Sequence, residues 1–176
     1  MKISLPLAIG FLLTGIRHTA VLVLGLVLLV MVTLACSLPP AETANNQGVD
    51  YARQGDHENA IKEYDEAIRL DPNIAKAYYN RGVAYGSLKQ YEQAIQDYDE
   101  AIRLDPQYHD AYVYRGLAYG ILDQPERAIE DFDEAIRLNP QYADAYVYRG
   151  LAYGAIGKSI EAERDFAKAK ELGYGP

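Results

Sequence analysis

The chain of 176 residues has room for one domain of ordinary size. After Lys2 and Arg17 are set aside, 15 basic residues stand against 25 acidic ones from Ala41 onward, a net charge of about −10. A surface of that sign repels a phosphate backbone, so nucleic acid is excluded as an expected partner. Cys36 is the only cysteine, which excludes an intrachain disulfide framework.

Residues 1–35 are predicted to be a leader or a membrane anchor. Lys2 and Arg17 flank a first apolar run, and residues 19–35 form a second run without a charge. The second run is just long enough to cross a hydrocarbon core of roughly 30 Å. Because positive charges precede it and the next one is Arg53, we expect the N-terminus in the cytoplasm. The rest of the chain is then expected on the extracytoplasmic side of the membrane, in the cell envelope.

The second apolar run ends in Leu34-Ala35-Cys36, and a polar, proline-containing stretch follows. This arrangement resembles a bacterial lipoprotein signal peptide with its lipobox. The resemblance implies cleavage before Cys36 and a thioether-linked diacylglycerol on its thiol, with enough acyl chains for stable anchoring. The alternative is an uncleaved signal anchor with Cys36 as an inert thiol. Residues 36–43 are predicted to be a short linker to a domain at 44–176.

Three nearly identical segments recur at a spacing of 34 residues and end at Pro72, Pro106 and Pro140. They read YDEAIRLDP twice and then FDEAIRLNP. Self-similarity at a fixed period of this length is typical of stacked supersecondary units. Stacked helical repeats form extended binding surfaces more often than catalytic clefts, so the period also favours a binding function.

The unit at 75–108 indicates what each repeat contains. Apolar residues recur at helical spacing in two stretches, within 78–88 and within 94–104. Lys89-Gln90 separates the stretches, and Pro106 ends the second, because the residue before a proline is pushed out of the α region. Each unit is therefore predicted to be a helical hairpin that buries its apolar faces only when units stack.

This pattern resembles the tetratricopeptide repeat family. The matching residues of the unit are Tyr78, Gly82, Tyr85, Ala94, Tyr98, Ala101 and Pro106. The resemblance covers four units, at about 41–74, 75–108, 109–142 and 143–176. It implies an all-α fold, an α-solenoid of four stacked helix-turn-helix repeats in a right-handed superhelical array, preceded here by an apolar N-terminal helix.

Two departures from the family pattern occur together. Arginine replaces the leucine before the glycine of the first helix, and aspartate replaces an aromatic residue in the second helix. The arginines are Arg81, Arg115 and Arg149, and the aspartates are Asp97, Asp131 and Asp165. This combination predicts ion pairs that link the helices of one hairpin or adjacent units. Two independently solvated faces are the alternative.

The two ends of the array differ from its middle. Glu163 and Lys170 occupy places where the earlier units have isoleucine, which predicts a charged cap on the last helix. Because of this cap, we do not expect self-polymerisation through the C-terminal end. At the other end, polar residues at 44–47 replace the tyrosine-rich start of the later units and predict a short, frayed helix.

The family resemblance implies that the first helices line a concave groove for an extended peptide or a partner's helix. The residues predicted to line it are Tyr79, Asn80, Val83, Val113, Tyr114, Leu117, Val147, Tyr148 and Leu151. Gly86, Gly120 and Gly154 lie there too, either to admit a ligand backbone or because the last turn of a helix tolerates glycine. Asp110 and Asp144 oppose an anionic ligand, so the carboxylate clamp of chaperone-binding relatives is not expected.

These features predict a membrane-anchored scaffold that binds a protein or peptide and is not an enzyme. One alternative is an accessory subunit of an envelope enzyme or assembly complex, with weak or no catalytic activity from a site between repeats. Another is a structural role for the acidic convex face. Gly157-Lys158-Ser159 lacks the upstream glycine of a phosphate-binding loop, and His57 and His109 lack a second ligand or nucleophile at useful spacing. No catalytic, cofactor-binding or metal-binding residue is therefore predicted.

Overall fold

A computed structural model describes residues 40–175, which contain eight α-helices and no strand. Their bounds are α1 (Pro40–Arg53), α2 (His57–Leu70), α3 (Ala75–Ser87), α4 (Tyr91–Leu104), α5 (His109–Ile121), α6 (Pro125–Leu138), α7 (Ala143–Ala155) and α8 (Ser159–Glu171). None of these eight helices is long and apolar enough to span a membrane. The predicted leader, the apolar helix before the repeats and Cys36 lie outside the described residues.

The eight helices form four hairpins, α1–α2, α3–α4, α5–α6 and α7–α8, and each hairpin packs against the next through the α2–α3, α4–α5 and α6–α7 contacts. A residue in the left-handed region closes every hairpin at the same place in the repeat. These residues are Gly55, Lys89, Asp123 and Gly157, with φ between 58° and 80°. The predicted stack of helix-turn-helix repeats is confirmed.

Within each hairpin, a glycine of the first helix lies directly against an aromatic ring of the second. A Cβ on Gly116 would lie 2.8 Å from Cε1 of Phe132 and 3.2 Å from the carbonyl oxygen of Ala128. The other hairpins repeat this contact with Gly48 and Tyr64, Gly82 and Tyr98, and Gly150 and Phe166. We call these four contacts the glycine–ring contacts. In each contact the aromatic ring occupies the space that a Cβ on the glycine would need.

Each predicted arginine bridges carboxylates on two successive second helices. Arg115 donates from Nε and Nη2 to Asp131 of its own hairpin, at 3.0 and 2.6 Å. Its Nη1 donates to Asp99 of the preceding hairpin. The same bridges join Arg81 to Asp97 and Asp65, and Arg149 to Asp165 and Asp133. The predicted pairing is confirmed, and it links both the helices of a hairpin and neighbouring hairpins.

We call this set of three arginines and six aspartates the arginine ladder. No ladder residue is left without a partner at either end of the array. Gln47 stands in α1 where the later units have the arginine, and Ala167 stands in α8 at the place of Asp65, Asp99 and Asp133. Tyrosines of the first helices cover the guanidinium groups: the Arg81 group lies 5.6 Å from the centre of the Tyr78 ring and 6.0 Å from that of Tyr85.

The first helix is longer than its sequence predicts. α1 runs over 14 residues from Pro40, so the expectation of a short, frayed helix is wrong, and residues 40–43 of the expected linker are helical. Proline is accepted at the first helical position, and Glu42 in the first turn complements the helix dipole. Asn45 is 5% exposed, and it accepts a hydrogen bond from Nδ2 of Asn80 at 2.9 Å. This bond ties the helix to the second hairpin.

The far end of the array has the predicted charged face. Glu163 and Lys170 are exposed in α8, whereas Ile129 and Ile136 at the equivalent places of α6 pack against the core. Phe166 is 41% exposed, although Phe132 at the same place of the preceding hairpin is 2% exposed. The difference arises because α7 covers Phe132 and no helix among the described residues packs over Phe166.

The glycine–ring contact predicts opposite effects for two alanine substitutions in α5. Gly116→Ala should lower the free energy of unfolding by about 1–3 kcal/mol, because the new methyl group overpacks the buried Phe132 ring. Gly120→Ala should raise it by up to about 1 kcal/mol, because its Cβ meets nothing within 4 Å and alanine is the better helix former. Urea unfolding of both variants checks this, and a shift of the same sign in both would contradict it.

The arginine ladder predicts a pH-dependent loss of stability. Burial raises the pKa of Asp131, and the hydrogen bonds from Arg115 oppose that shift only in part. Arg115→Met removes the opposing cation, so it should cost about 3–5 kcal/mol near neutral pH. A carboxyl group with a raised folded-state pKa favours the folded state at low pH and disfavours it as pH rises. The cost of Arg115→Met should therefore be smaller at about pH 4.5 than at about pH 7.5.

The control for this prediction is Asp99→Asn, which breaks the other half of the same bridge. The Asp99 side chain is 52% exposed. Its removal should change the free energy of unfolding by less than about 1 kcal/mol, as is usual for an exposed ion pair. Urea unfolding at the two pH values gives both numbers, and a cost for Arg115→Met that does not change with pH would refute the role given to Asp131.

Candidate binding groove

The predicted groove residues follow one face of each first helix. In α5 this face carries Asp110, Tyr114, Leu117 and Ile121, at steps of four, three and four residues. The equivalent face of α7 carries Asp144, Tyr148, Leu151 and Ala155. Each face therefore begins with a carboxylate in the first helical turn and becomes apolar towards the end of the helix.

Three equivalent pockets lie between successive first helices, and we call their row the groove. The first pocket lies between α1 and α3, the second between α3 and α5, and the third between α5 and α7. Their volumes are about 340, 260 and 260 Å³. The rings of the glycine–ring contacts line them: Tyr64 the first, Tyr98 the second and Phe132 the third. In the first three hairpins, the ring of the glycine–ring contact therefore also provides a pocket wall.

Most of the predicted groove residues line these pockets. They are Tyr79, Asn80 and Val83 in the first pocket, Val83, Tyr114 and Leu117 in the second, and Leu117, Tyr148 and Leu151 in the third. Val113 and Val147 line none of the three pockets. Val113 is 1% exposed and belongs to the hydrophobic core, so it offers no surface to a partner.

The second helices add residues that the sequence pattern does not single out. Each pocket includes the first residue of a second helix, namely His57, Tyr91 and Pro125 in chain order. These residues stand 34 positions apart, and this spacing is the only signal in the sequence that relates them. Ile121 lines both the second and the third pocket and is 59% exposed. Leu151 is exposed to the same extent.

Tyrosines form a packed layer beside the second pocket. The ring of Tyr79 lies 4.9 Å from that of Tyr108 and 5.6 Å, edge-on, from that of Tyr114, measured between centroids. Burial raises the pKa of Tyr79 far above its ordinary value, and it raises that of Tyr108 to about 12. Tyr79 is therefore mainly a packing residue between two hairpins, whereas Tyr114 is 36% exposed and available to a partner.

The carboxylate edge of the groove is formed by Asp110 and Asp144. The Asp110 side chain is 37% exposed, and one of its oxygens lies 3.3 Å from Nδ1 of His109. Burial, and then the charges of Asp110 and Asp144, raise the pKa of Tyr142 to about 12. Both carboxylates therefore act on Tyr142, which shows that they share one negative region of the surface. Lys76 holds the equivalent place in α3, so the sign of the edge changes between the second hairpin and the third.

A second series of glycines lies near the end of the first helices, and two of its members, Gly86 and Gly120, line pockets of the groove. A Cβ on Gly120 or Gly154 would meet no atom within 4 Å, and one on Gly86 would meet only the hydroxyl of Tyr98, at 3.8 Å. Packing within the chain therefore does not require glycine at these places. All three lie in the last turn of their helices, and the space above them is open.

The residues considered for catalysis do not come together. Among residues 40–175, no group of three or more His, Cys, Asp or Glu side chains is placed to hold a metal ion. His57 lines the first pocket, and His109 packs its ring 5.4 Å from that of Tyr142. Gly157 lies in the turn between two helices, where a phosphate-binding loop would follow a strand.

Family models match most of the described residues. A model described as "Tetratricopeptide repeat" matches residues 75–108 and 109–142, a second model described as "TPR repeat" matches residues 48–89, and a further "Tetratricopeptide repeat" model matches residues 132–164. No match was found among curated protein sequences.

Several solved structures are similar to this chain. A crystal structure of MamA is 33% identical, with 80% of this chain and 82% of that chain covered and a TM-score of 0.73. MamA from residue 41 to its end, from Desulfovibrio magneticus RS-1, is 28% identical, with 75% of each chain covered and a TM-score of 0.70. The first TPR of Spaghetti (RPAP3), bound to the HSP90 peptide SRMEEVD, is 29% identical, with 67% of this chain and 94% of that chain covered and a TM-score of 0.66.

Proposed function

The chain belongs to the tetratricopeptide repeat family, and from that premise we propose that it is a scaffold that holds a protein or peptide in the groove. The observation that carries this proposal is the row of three equivalent pockets that the chain's own side chains leave open. The four hairpins would form a right-handed superhelical array with the groove on its concave side, and no catalytic step is part of the function.

The distribution of exposed apolar side chains supports the groove as the binding surface. Ile121 and Leu151 are each 59% exposed, and both line the third pocket. Large apolar side chains that stand next to an open apolar pocket are typical of a site that a partner covers. The similar Spaghetti domain was solved with a peptide bound, which agrees with a peptide or a peptide-like segment as the ligand.

We expect position-specific cross-linking from the groove in living cells. A photoreactive phenylalanine at position 121 or 151 of the full-length chain should give discrete cross-linked products, because a partner would cover these side chains. The same amino acid at position 160 is the matched control, since Ile160 is 67% exposed but lines none of the three pockets. Immunoblotting and mass spectrometry of the products measure the difference between the positions.

A substitution in the third pocket shows whether a cross-linked product comes from specific binding or from a chance collision. Leu151→Lys should reduce cross-linking from position 121 at least fivefold, because a lysine beside the third pocket disfavours an apolar side chain there. Ile160→Lys should leave it unchanged. Equal products from positions 121 and 160, or products that Leu151→Lys does not affect, would rule out the groove as the binding surface.

We also propose that the repeats are tethered to a membrane and lie in the cell envelope. The support is the sequence before position 40, where charged residues, an apolar run and Cys36 follow one another as in a lipoprotein signal peptide. Two acyl chains on Cys36 would give stable anchoring, whereas one chain would give marginal and reversible binding.

Intact mass spectrometry of the membrane-extracted protein tests the tether. We expect loss of residues 1–35 and the added mass of a diacylglycerol, together with amide-linked acyl chain where the N-terminus is modified. Cys36→Ser should abolish both the cleavage and the added mass. An unmodified full-length mass for the natural chain would favour the uncleaved signal anchor instead.

A further inference from the structure

We propose that the groove selects a segment that combines aliphatic side chains with lysine or arginine. The aliphatic side chains would occupy the second and third pockets. A cation of the segment would lie beside Asp110 and Asp144, at the start of α5 and α7, or beside Asp123, after the end of α5. This inference rests on the proposed function in one respect only, that the groove is the surface on which a partner binds.

The acidic edge of the groove is not neutralised by the chain itself. The arginine ladder pairs its six aspartates, and Arg69, Arg103 and Arg137 pair with Glu66, Glu100 and Glu134. Within residues 40–175, neither Asp110 nor Asp144 forms an ion pair with a lysine or arginine; the neighbours of Asp110 are His109 and Tyr142. Two carboxylates one repeat apart thus remain available to a cation from outside.

The groove is also electrically asymmetric along its length. Arg53 lines the first pocket, and Lys76 stands at the edge of the second hairpin. The third pocket is instead lined by Asp123, and Asp144 precedes it in α7. A ligand with its positive charge near the third pocket meets attraction at that end, whereas an anionic ligand meets repulsion there.

The second and third pockets are adjacent and apolar. Leu117 and Ile121 line both of them, so the two pockets share one wall on α5. The floors are the Tyr98 and Phe132 rings, and Gly86 and Gly120 leave the rims open. Two aliphatic side chains of one segment can therefore be seated on either side of Leu117, in pockets whose lining is mainly apolar.

The charges at the groove disfavour an acidic ligand. The peptide SRMEEVD in the Spaghetti complex carries three carboxylate side chains. In this chain the side chain of Asn80 is already engaged by the buried Asn45, and Asp110 and Asp144 would repel such a peptide. The groove therefore favours the opposite charge in its ligand.

Fluorescence anisotropy with the purified full-length chain tests the inference. The probes are the labelled, end-capped peptides LKSLLKSLLK, LESLLESLLE and SKSSSKSSSK, together with SRMEEVD. We expect LKSLLKSLLK to bind at least tenfold more tightly than each of the others, because it alone carries both aliphatic and basic side chains. Comparable affinity for the second or third peptide, or tighter binding of SRMEEVD, would overturn the inference.

Matched variants assign the binding to the groove. Asp110→Asn with Asp144→Asn should weaken binding of LKSLLKSLLK roughly fivefold. Glu130→Gln with Glu163→Gln removes the same charge from exposed places on α6 and α8 and should change it less than twofold. Gly86→Leu and Gly120→Leu should each weaken binding while urea unfolding shows a folded protein, because leucine fills the open rim. Equal effects of the two charge-neutralising pairs would mean that only net charge is sensed, which would refute the inference.

Failure of this inference and failure of the proposed function are distinguishable. If cross-links from positions 121 and 151 persist while none of the four peptides binds, the groove still binds a partner and the proposed ligand chemistry is wrong. If LKSLLKSLLK binds and the paired aspartate substitutions weaken it selectively, the ligand chemistry is supported independently of any cellular partner.

Discussion

The contact on which the rest of this structure depends is the one between a first-helix glycine and a second-helix ring. Without a Cβ on Gly82 or Gly116, the two helices approach until the ring of Tyr98 or Phe132 fills the space between them. The same rings then line the second and third pockets. Hairpin closure and groove formation are therefore one packing event in the first three hairpins.

The arginine ladder has a different part in the fold. Its arginines bind carboxylates on two successive second helices, so each bridge is complete only when one hairpin is seated correctly on the next. A buried ion pair adds little net stability relative to an apolar pair, but a misplaced one is costly because a charge stays buried without its partner. The ladder thus disfavours incorrect stacking, and its absence at Gln47 and Ala167 leaves no such charge at either end.

The fold could be predicted almost completely from the sequence, because a 34-residue period with glycine, aromatic and proline residues at fixed places leaves few alternatives. The arginines could be matched to aspartates of their own hairpin, because both residue types depart from the family pattern in the same units; these aspartates are Asp97, Asp131 and Asp165. The aspartates of the preceding hairpin could not be matched, because those contacts cross between units and depend on how the units stack. They are Asp65, Asp99 and Asp133. The burial of Val113 depends on the same stacking. The polar start of α1 gives a weak helical signal in the sequence, and the tertiary contacts of the helix, the burial of Ala41 and Ala44 and the bond between Asn45 and Asn80, could not be read from it.

Stacking also decides which charges are free to select a partner. Of the aspartates on the repeats, those on the second helices are used by the ladder, and those at the start of α5 and α7 face the groove without an arginine. A net negative charge on the whole array would slow the approach of any acidic partner. It would not favour one basic partner over another, because it attracts all of them alike. That distinction requires unpaired carboxylates beside apolar pockets of fixed spacing, because a segment must then match charge and shape together. The repeat places both on the same helix face, so the specificity that we propose would follow from the register in which the hairpins stack.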